Sequence, residues 1–284
     1  MATPTTDLVL QAPTIGAADV AAIADASGAN GIQVLEAVAH QALRLAAAKP
    51  REGVTELCTS KGIDSAFVPS DRTLDRVRLV AIDMDSTLIT IECIDEIADI
   101  VGIKPEVAAI TASAMRGDID FSESLARRVA LLTGVPVAAL QRVYDERLAL
   151  SAGAERMLAG FKAVGAKTQL VSGGFTFFTE KLMVLLAFDE TVSSALEVVS
   201  GRLTGRVVPP IVDGQAKAAC FAAMRERYAA NGGIAVAIGD GANDVPMLVA
   251  ADVSIAYHAK PLARAQATHA IDHCGLDAVL NLFA

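Results

Sequence analysis

LVAIDMDSTL, residues 79–88, places an unbroken apolar run directly before two aspartates spaced two apart. A short, continuous apolar run of this kind reads as a strand buried on both faces, the pattern of a parallel sheet covered by helices. Asp83 and Asp85 stand at positions i and i+2, whose side chains leave an extended chain on the same side, so both carboxylates reach one small volume. Helix capping accounts for one aspartate before Ser86 and Thr87, and not for two.

Further along the chain, TQLVS (168–172), IAVAIGD (234–240) and DVSIAY (252–257) repeat the apolar run, with amphipathic helical stretches between them. The expected fold class is therefore α/β, with a Rossmann-like parallel sheet as its core. Open parallel sheets bind ligands beyond the carboxyl ends of their strands, and Asp83, Ser172 and Asp240 each end a run. Those three side chains are expected at one edge.

Residues 89 to 166 are too many for one crossover helix and carry a helical pattern, so an inserted helical cap is expected at about 89–150. Its helices are predicted over Glu92–Val101, Pro105–Met115, Ser122–Leu132 and Val137–Leu148, with Pro105 and Pro136 near helix starts where proline is tolerated. LEVVSGRLTGRVVPP (196–210) has β-branched residues on both sides of a glycine turn and predicts a hairpin. The division expected is a small N-terminal α/β segment at 1–75 and a main domain at 76–284. No clear four-strand pattern is legible in the first part, which reads either as a separate domain or as an extension packed on the core.

Composition excludes several classes. The apolar fraction is 53%, yet no uncharged apolar stretch reaches the ~20 residues of a membrane span, so no membrane association is expected. A net charge of −9 without a Lys/Arg run argues against nucleic acid as a partner. Cys58, Cys93, Cys220 and Cys274 are scattered, which disfavours a disulfide framework or a zinc site. No secretory leader pattern opens the chain, and a cytoplasmic location is expected.

Three more segments carry chemistry. In LVSGGF, Gly173 and Gly174 after Ser172 let backbone approach an anion at a helix N-terminus. IGDGAND puts Asp240, Asn243 and Asp244 around a glycine-rich turn after a strand, hard oxygen donors of the kind magnesium selects. Lys217, in VDGQAKAAC, is a lone lysine near a helix start and is unremarkable by itself.

DMDST, SGG, Lys217 and GDGAND, in that order, resemble the signature motifs of haloacid dehalogenase phosphatases, over roughly residues 79 to 284. The resemblance implies that Asp83 is the nucleophile, Asp85 the general acid and base, and Lys217 the cation that neutralises phosphate. It further implies Mg2+ held by Asp83, the main-chain carbonyl of Asp85 and Asp240, with Asp244 supporting from behind and Asn243, Ser172, Gly173 and Gly174 at the phosphate. The second aspartate favours phosphoryl transfer over dehalogenation, which has no alkoxide to protonate.

Two stretches of the insertion, TLITIECIDEIA and FSESLARRVALLTG, are similar to the cap of the phosphoserine phosphatase branch of that family. There the positions of Glu92, Phe121 and Arg128 meet the substrate's ammonium, carbon chain and carboxylate. An arginine paired with a glutamate describes an amino-acid zwitterion, so the implied reaction is hydrolysis of phosphoserine, the last step of serine biosynthesis. Arg127, next to Arg128, is the alternative guanidinium. Two rival activities stand beside this: a phosphotransferase passing the group from Asp83 to another alcohol, and a non-catalytic amino-acid sensor. The N-terminal segment is similar to the ACT-type ligand-binding domains that precede some family members, and a homodimer is compatible with the sequence.

Overall fold

The structure, a computed structural model, describes residues 5–283. It opens with a unit of order β1 (Thr6–Ala12), α1 (Ala17–Ser27), β2 (Gly31–Leu35), β3 (Gln41–Ala46), α2 (Val54–Ser60) and β4 (Asp64–Pro69). The strands pair antiparallel in the order β2-β3-β1-β4, the βαββαβ arrangement of ferredoxin-like domains. This corrects the sequence expectation, in which no four-strand pattern was legible. The strands mask themselves because both sheet faces are covered. Leu8, Leu10 and Leu45 pack under α1 and α2 with Ile23, Val54 and Cys58. On the opposite face Val9, Ala66 and Val68 join the main core, interspersed with buried Gln11 and Arg44. Clean apolar–polar alternation needs one wet face, and β1 has none.

The main sheet follows: β5 (Val77–Ile82), the cap helices α3 (Cys93–Val101), α4 (Lys104–Met115), α5 (Phe121–Ala130) and α6 (Val137–Glu146), then α7 (Ala154–Ala163), β6 (Lys167–Phe175) and α8 (Thr176–Leu186). It continues with β7 (Glu190–Val199), β8 (Arg202–Val208), α9 (Gly214–Ala229), β9 (Ile234–Gly239), α10 (Val245–Ala250), β10 (Val253–Tyr257), α11 (Pro261–Gln266) and β11 (His269–Ile271). Strand order is β11-β10-β9-β5-β6-β7-β8, parallel throughout except for the β7–β8 hairpin at one edge. β5 and β9 thus lie side by side at the centre, and their carboxyl ends deliver Asp83 and Asp240 to neighbouring positions. The fold class is α/β with a parallel-dominated sheet.

The cap leaves and rejoins the core through paired connections. Ile89 bridges Leu150, Thr90 N–H donates to Ala149 O (2.9 Å), and Ser151 N–H donates to Leu88 O (2.9 Å). At its far side α5 packs on β8, and Gly134 N–H donates to Leu203 O (2.8 Å), so the hairpin props the cap. No described helix is long and apolar enough to cross a membrane.

One buried carboxylate latches the N-terminal unit to the main sheet. Asp64 Oδ1 accepts from Asp272 N–H (2.8 Å), and Oδ2 accepts from His273 and Cys274 N–H (both 3.0 Å). Burial pushes the Asp64 carboxyl up, and the His273 and Cys274 donors pull against that. In Asp64→Ala the three amides lose their acceptor, which is expected to cost about 2–4 kcal/mol in urea unfolding. A loss below about 0.5 kcal/mol would show that the latch contributes nothing.

Candidate active site

β5 pairing ends at Ile82, and Asp83 N–H donates to Ile238 O (3.0 Å) of β9, which holds Asp83 over the sheet edge. The chain then turns, with Asp85 extended and Ser86 left-handed at φ 56°. Asp85 is aimed less by strand alternation than by this turn and by α3, whose first N–H, from Cys93, donates to Asp85 Oδ1 at 3.1 Å. Its other oxygen explains a glycine: a Cβ on Gly174 would lie 2.8 Å from Asp85 Oδ2. A Cβ on Gly173 would lie 2.7 Å from the Phe121 ring. The Ser-Gly-Gly end of β6 is therefore bare because the core carboxylate and the cap both close on it. Ser172 is buried in β6, and its hydroxyl accepts from Gly174 N–H at 2.9 Å.

At and beneath the cavity floor lies a largely buried ion cluster. The side chain of Asp213 caps α9 by accepting from Ala216 N–H (2.9 Å), which sets the first turn that carries Lys217. Lys217 is 0% exposed, and its Nζ donates to Asp83 Oδ1 (2.6 Å) and Asp244 Oδ1 (2.7 Å). Burial works against its charge, but Asp244 and Asp83 outweigh burial and raise its pKa above that of an ordinary lysine. Asp244 spends its second oxygen on Asp240 N–H (3.2 Å) and Gly241 N–H (3.0 Å). Asp240 accepts from Lys260 Nζ (3.1 Å) and distantly from the Thr87 hydroxyl (3.4 Å).

Like charges crowd in this cluster. Burial, then the charges of Asp244 and Asp240, push Asp83 well above the usual carboxylate range against the pull of Lys217. Asp240 is raised as well, chiefly by burial. Asp83, Asp240 and Asp244 each offer an oxygen, all within 4.8 Å of one another. Buried carboxylates so crowded are stabilised by a further cation, and an all-oxygen donor set fits a hard one such as Mg2+. Because Asp244 is already committed to Lys217 and two amides, Asp83 and Asp240 are the freer donors.

Above the floor, a cavity of about 910 Å³ opens between sheet edge and cap. Asp83, Asp85, Ser172, Gly173, Gly174, Asp240 and Asn243 line it from the core; Glu92, Phe121 and Arg128 line it from the cap side. Lys217 and Asp244 lie behind the lining. Burial, followed by the Glu92 charge, pushes Asp85 up to about 7. Glu92 is also raised, by burial first, while its Oε1 accepts from the Ser86 hydroxyl at 2.9 Å. Arg128 is half-buried and lowered by burial, and only its Nε has a protein partner among the described residues, the Ser124 carbonyl at 3.4 Å. Its terminal nitrogens remain free for an anion. Arg127 instead points outward and pairs with Glu123 on the exposed face of α5.

Lys260 was not foreseen. It lines the same cavity from the connection between β10 and α11. DVSIAY stops at Tyr257, three residues short of Lys260, so the strand-end rule does not reach it.

Known proteins resemble this chain over most of its length. Residues 80–249 match the family model described as haloacid dehalogenase-like hydrolase. The phosphoserine phosphatase of Polaromonas sp. is 49% identical over 78% of this chain and 97% of its own length. That of Haemophilus influenzae is 41% identical over 78% of this chain and 70% of its own. A solved structure of a probable phosphoserine phosphatase from Vibrio cholerae, in unliganded form, superposes with a TM-score of 0.83 at 33% identity, covering 97% of this chain and 85% of that one. That overlap extends through the N-terminal unit. With twin aspartates after the central strand, a buried lysine between two carboxylates, and relatives this similar, the chain belongs to the haloacid dehalogenase-like hydrolases, in the branch of the phosphoserine phosphatases.

Proposed function

We propose that the protein is a magnesium-dependent phosphatase that hydrolyses O-phospho-L-serine to serine and phosphate through a phosphorylated Asp83. The observation that carries this is one cavity with Asp83 and Asp85 on its floor and the unpaired end of Arg128 on its wall. The phosphoryl group belongs at the floor, against Ser172, Gly173, Gly174 and Asn243. Arg128 then meets the substrate carboxylate and Glu92 its ammonium, with Phe121 against the short carbon chain.

In the first step an Asp83 oxygen attacks phosphorus, the P–O bond to serine breaks, and Asp85 gives its proton to the departing serine oxygen. In the second, the Asp85 carboxylate takes a proton from water as that water attacks phosphorus, releasing phosphate and restoring Asp83. Lys217 anchors Asp83 at Oδ1 and offsets the charge that gathers on the phosphoryl oxygens. Asp83 and Asp240, with the main-chain carbonyl of Asp85, would hold Mg2+, which supplies further neutralisation of that charge. Asp244 keeps Lys217 and the Asp240–Gly241 turn in place.

The test is phosphate release from phosphoserine, phosphothreonine and an aryl phosphate, for wild type and Arg128→Ala with Mg2+ present. The wild type is expected to prefer phosphoserine. Arg128→Ala is expected to lose about 100-fold in kcat/KM on phosphoserine, and far less on the aryl ester, which has no carboxylate to pair. Equal cleavage of all three esters by the wild type would remove the Glu92–Arg128 pocket from the account and leave the Asp83 chemistry.

A further inference from the structure

We propose that Lys260 is a positioning residue for the divalent-cation site, clamping Asp240 so that one oxygen stays turned toward the cation; this rests on the magnesium-dependent reading above. Lys260 grips Asp240 at two points. Its Nζ donates to Asp240 Oδ2 at 3.1 Å, and its main-chain N–H donates to the Asp240 carbonyl at 2.9 Å. Asp240 Oδ1 is left with one long contact, the Thr87 hydroxyl at 3.4 Å, and is the oxygen available to a metal.

The clamp is itself held. Pro261 restricts Lys260 to extended backbone, observed at φ −63° and ψ 152°, where it caps α11. Two residues earlier His258 adopts left-handed φ 44°, its N–H donating to Ile271 O (2.8 Å) and its Nε2 meeting Cys274 O (3.1 Å). The β10–α11 connection is thereby tied to the segment that follows β11. Charge is apportioned too: Lys217 serves Asp83 and Asp244, leaving Lys260 as the ammonium that serves Asp240.

Two effects of Lys260 on a bound cation oppose each other. Its ammonium repels a divalent ion, but the side chain is 53% exposed and water screens that repulsion. Its hydrogen bond removes the rotational freedom Asp240 would otherwise lose on binding metal, and outer partners of this kind typically contribute about 10–100-fold to metal affinity. Orientation is therefore expected to win.

The experiment is titration calorimetry of the substrate-free protein with Mg2+, for wild type, Lys260→Met and Lys260→Arg, with melting temperatures in EDTA as a control. Lys260→Met keeps length and removes the donor; its Mg2+ Kd is expected to rise about 10-fold, while its melting temperature in EDTA falls only slightly, because the lost ion pair is half exposed. Lys260→Arg, which restores a charged donor to the Asp240 carboxylate, is expected within about threefold of wild type. Unchanged or tighter Mg2+ binding by Lys260→Met would overturn the clamp and leave the phosphatase reading intact. A wild type that binds no Mg2+ would overturn both.

Discussion

Asp83→Asn is expected to abolish phosphate release from phosphoserine, with a loss on the order of 10⁴-fold or more, because an amide oxygen is a poor nucleophile and Asp85, the other carboxylate on the floor, is held by Cys93 N–H for a different task. The fold is expected to survive. Lys217 keeps its 2.7 Å contact with Asp244, so its buried charge is not orphaned, which is what makes removal of one ion partner costly elsewhere. The change also relieves crowding: Asp83, Asp240 and Asp244 face two ammonium groups, and the amide leaves two carboxylates for two lysines. A melting temperature in EDTA at or above wild type is therefore the second part of the expectation. It follows from a site in which function holds more negative charge together than stability alone would choose. Phosphate release by the variant at a tenth of the wild-type rate would remove Asp83 from the nucleophile's role. An unfolded variant would mean that the Asp83–Lys217 pair holds the core together.

Most of the site positions were legible because the architecture puts chemistry at strand ends. An apolar run stopping at an aspartate announces both the strand and its exit, and β5 and β9 are neighbours, so Asp83 and Asp240 had to meet. Other features had no local signal. Whether Arg127 or Arg128 turns inward depends on how α5 rotates against β8, a long-range contact that helical periodicity leaves one position uncertain. Lys260 is a lone lysine in a connection, and only the fold carries it to Asp240. The N-terminal strands hid themselves because Gln11, Arg44 and Asp64 are polar yet buried, serving the junction with the main sheet: Asn281 Nδ2 donates to Gln11 Oε1 (2.8 Å), Arg44 donates to Asn281 O (3.2 Å), and Asp64 accepts three amides. Buried interface polarity reads in sequence as surface polarity. The aim of Asp85 was inferred from strand alternation, whereas the strand ends at Ile82 and Cys93 N–H holds the carboxylate.

That dependence on the Cys93 amide bears on the remaining large effect. Asp85→Asn keeps an oxygen to accept from Cys93 N–H, so its geometry is expected to hold while its proton chemistry is lost. Steady-state turnover of phosphoserine is expected to fall about 10²–10⁴-fold, the usual contribution of a general acid or base. The two steps separate when the leaving group changes. A serine alkoxide cannot depart without a proton, whereas a nitrophenolate is a stable anion and needs none, so attack by Asp83 on an aryl phosphate proceeds in the variant. Hydrolysis of phosphorylated Asp83 still needs a base. With the aryl ester the variant is therefore expected to show a rapid burst of about one nitrophenolate per active site, then slow turnover, and to accumulate a phosphorylated chain visible by mass spectrometry after acid quench. With phosphoserine no burst is expected, because the first step itself is blocked. A variant that releases serine in a burst as fast as the wild type would assign the proton to another donor. One that shows no burst with the aryl ester would mean that Asp85 matters to the position of Asp83 rather than to proton transfer.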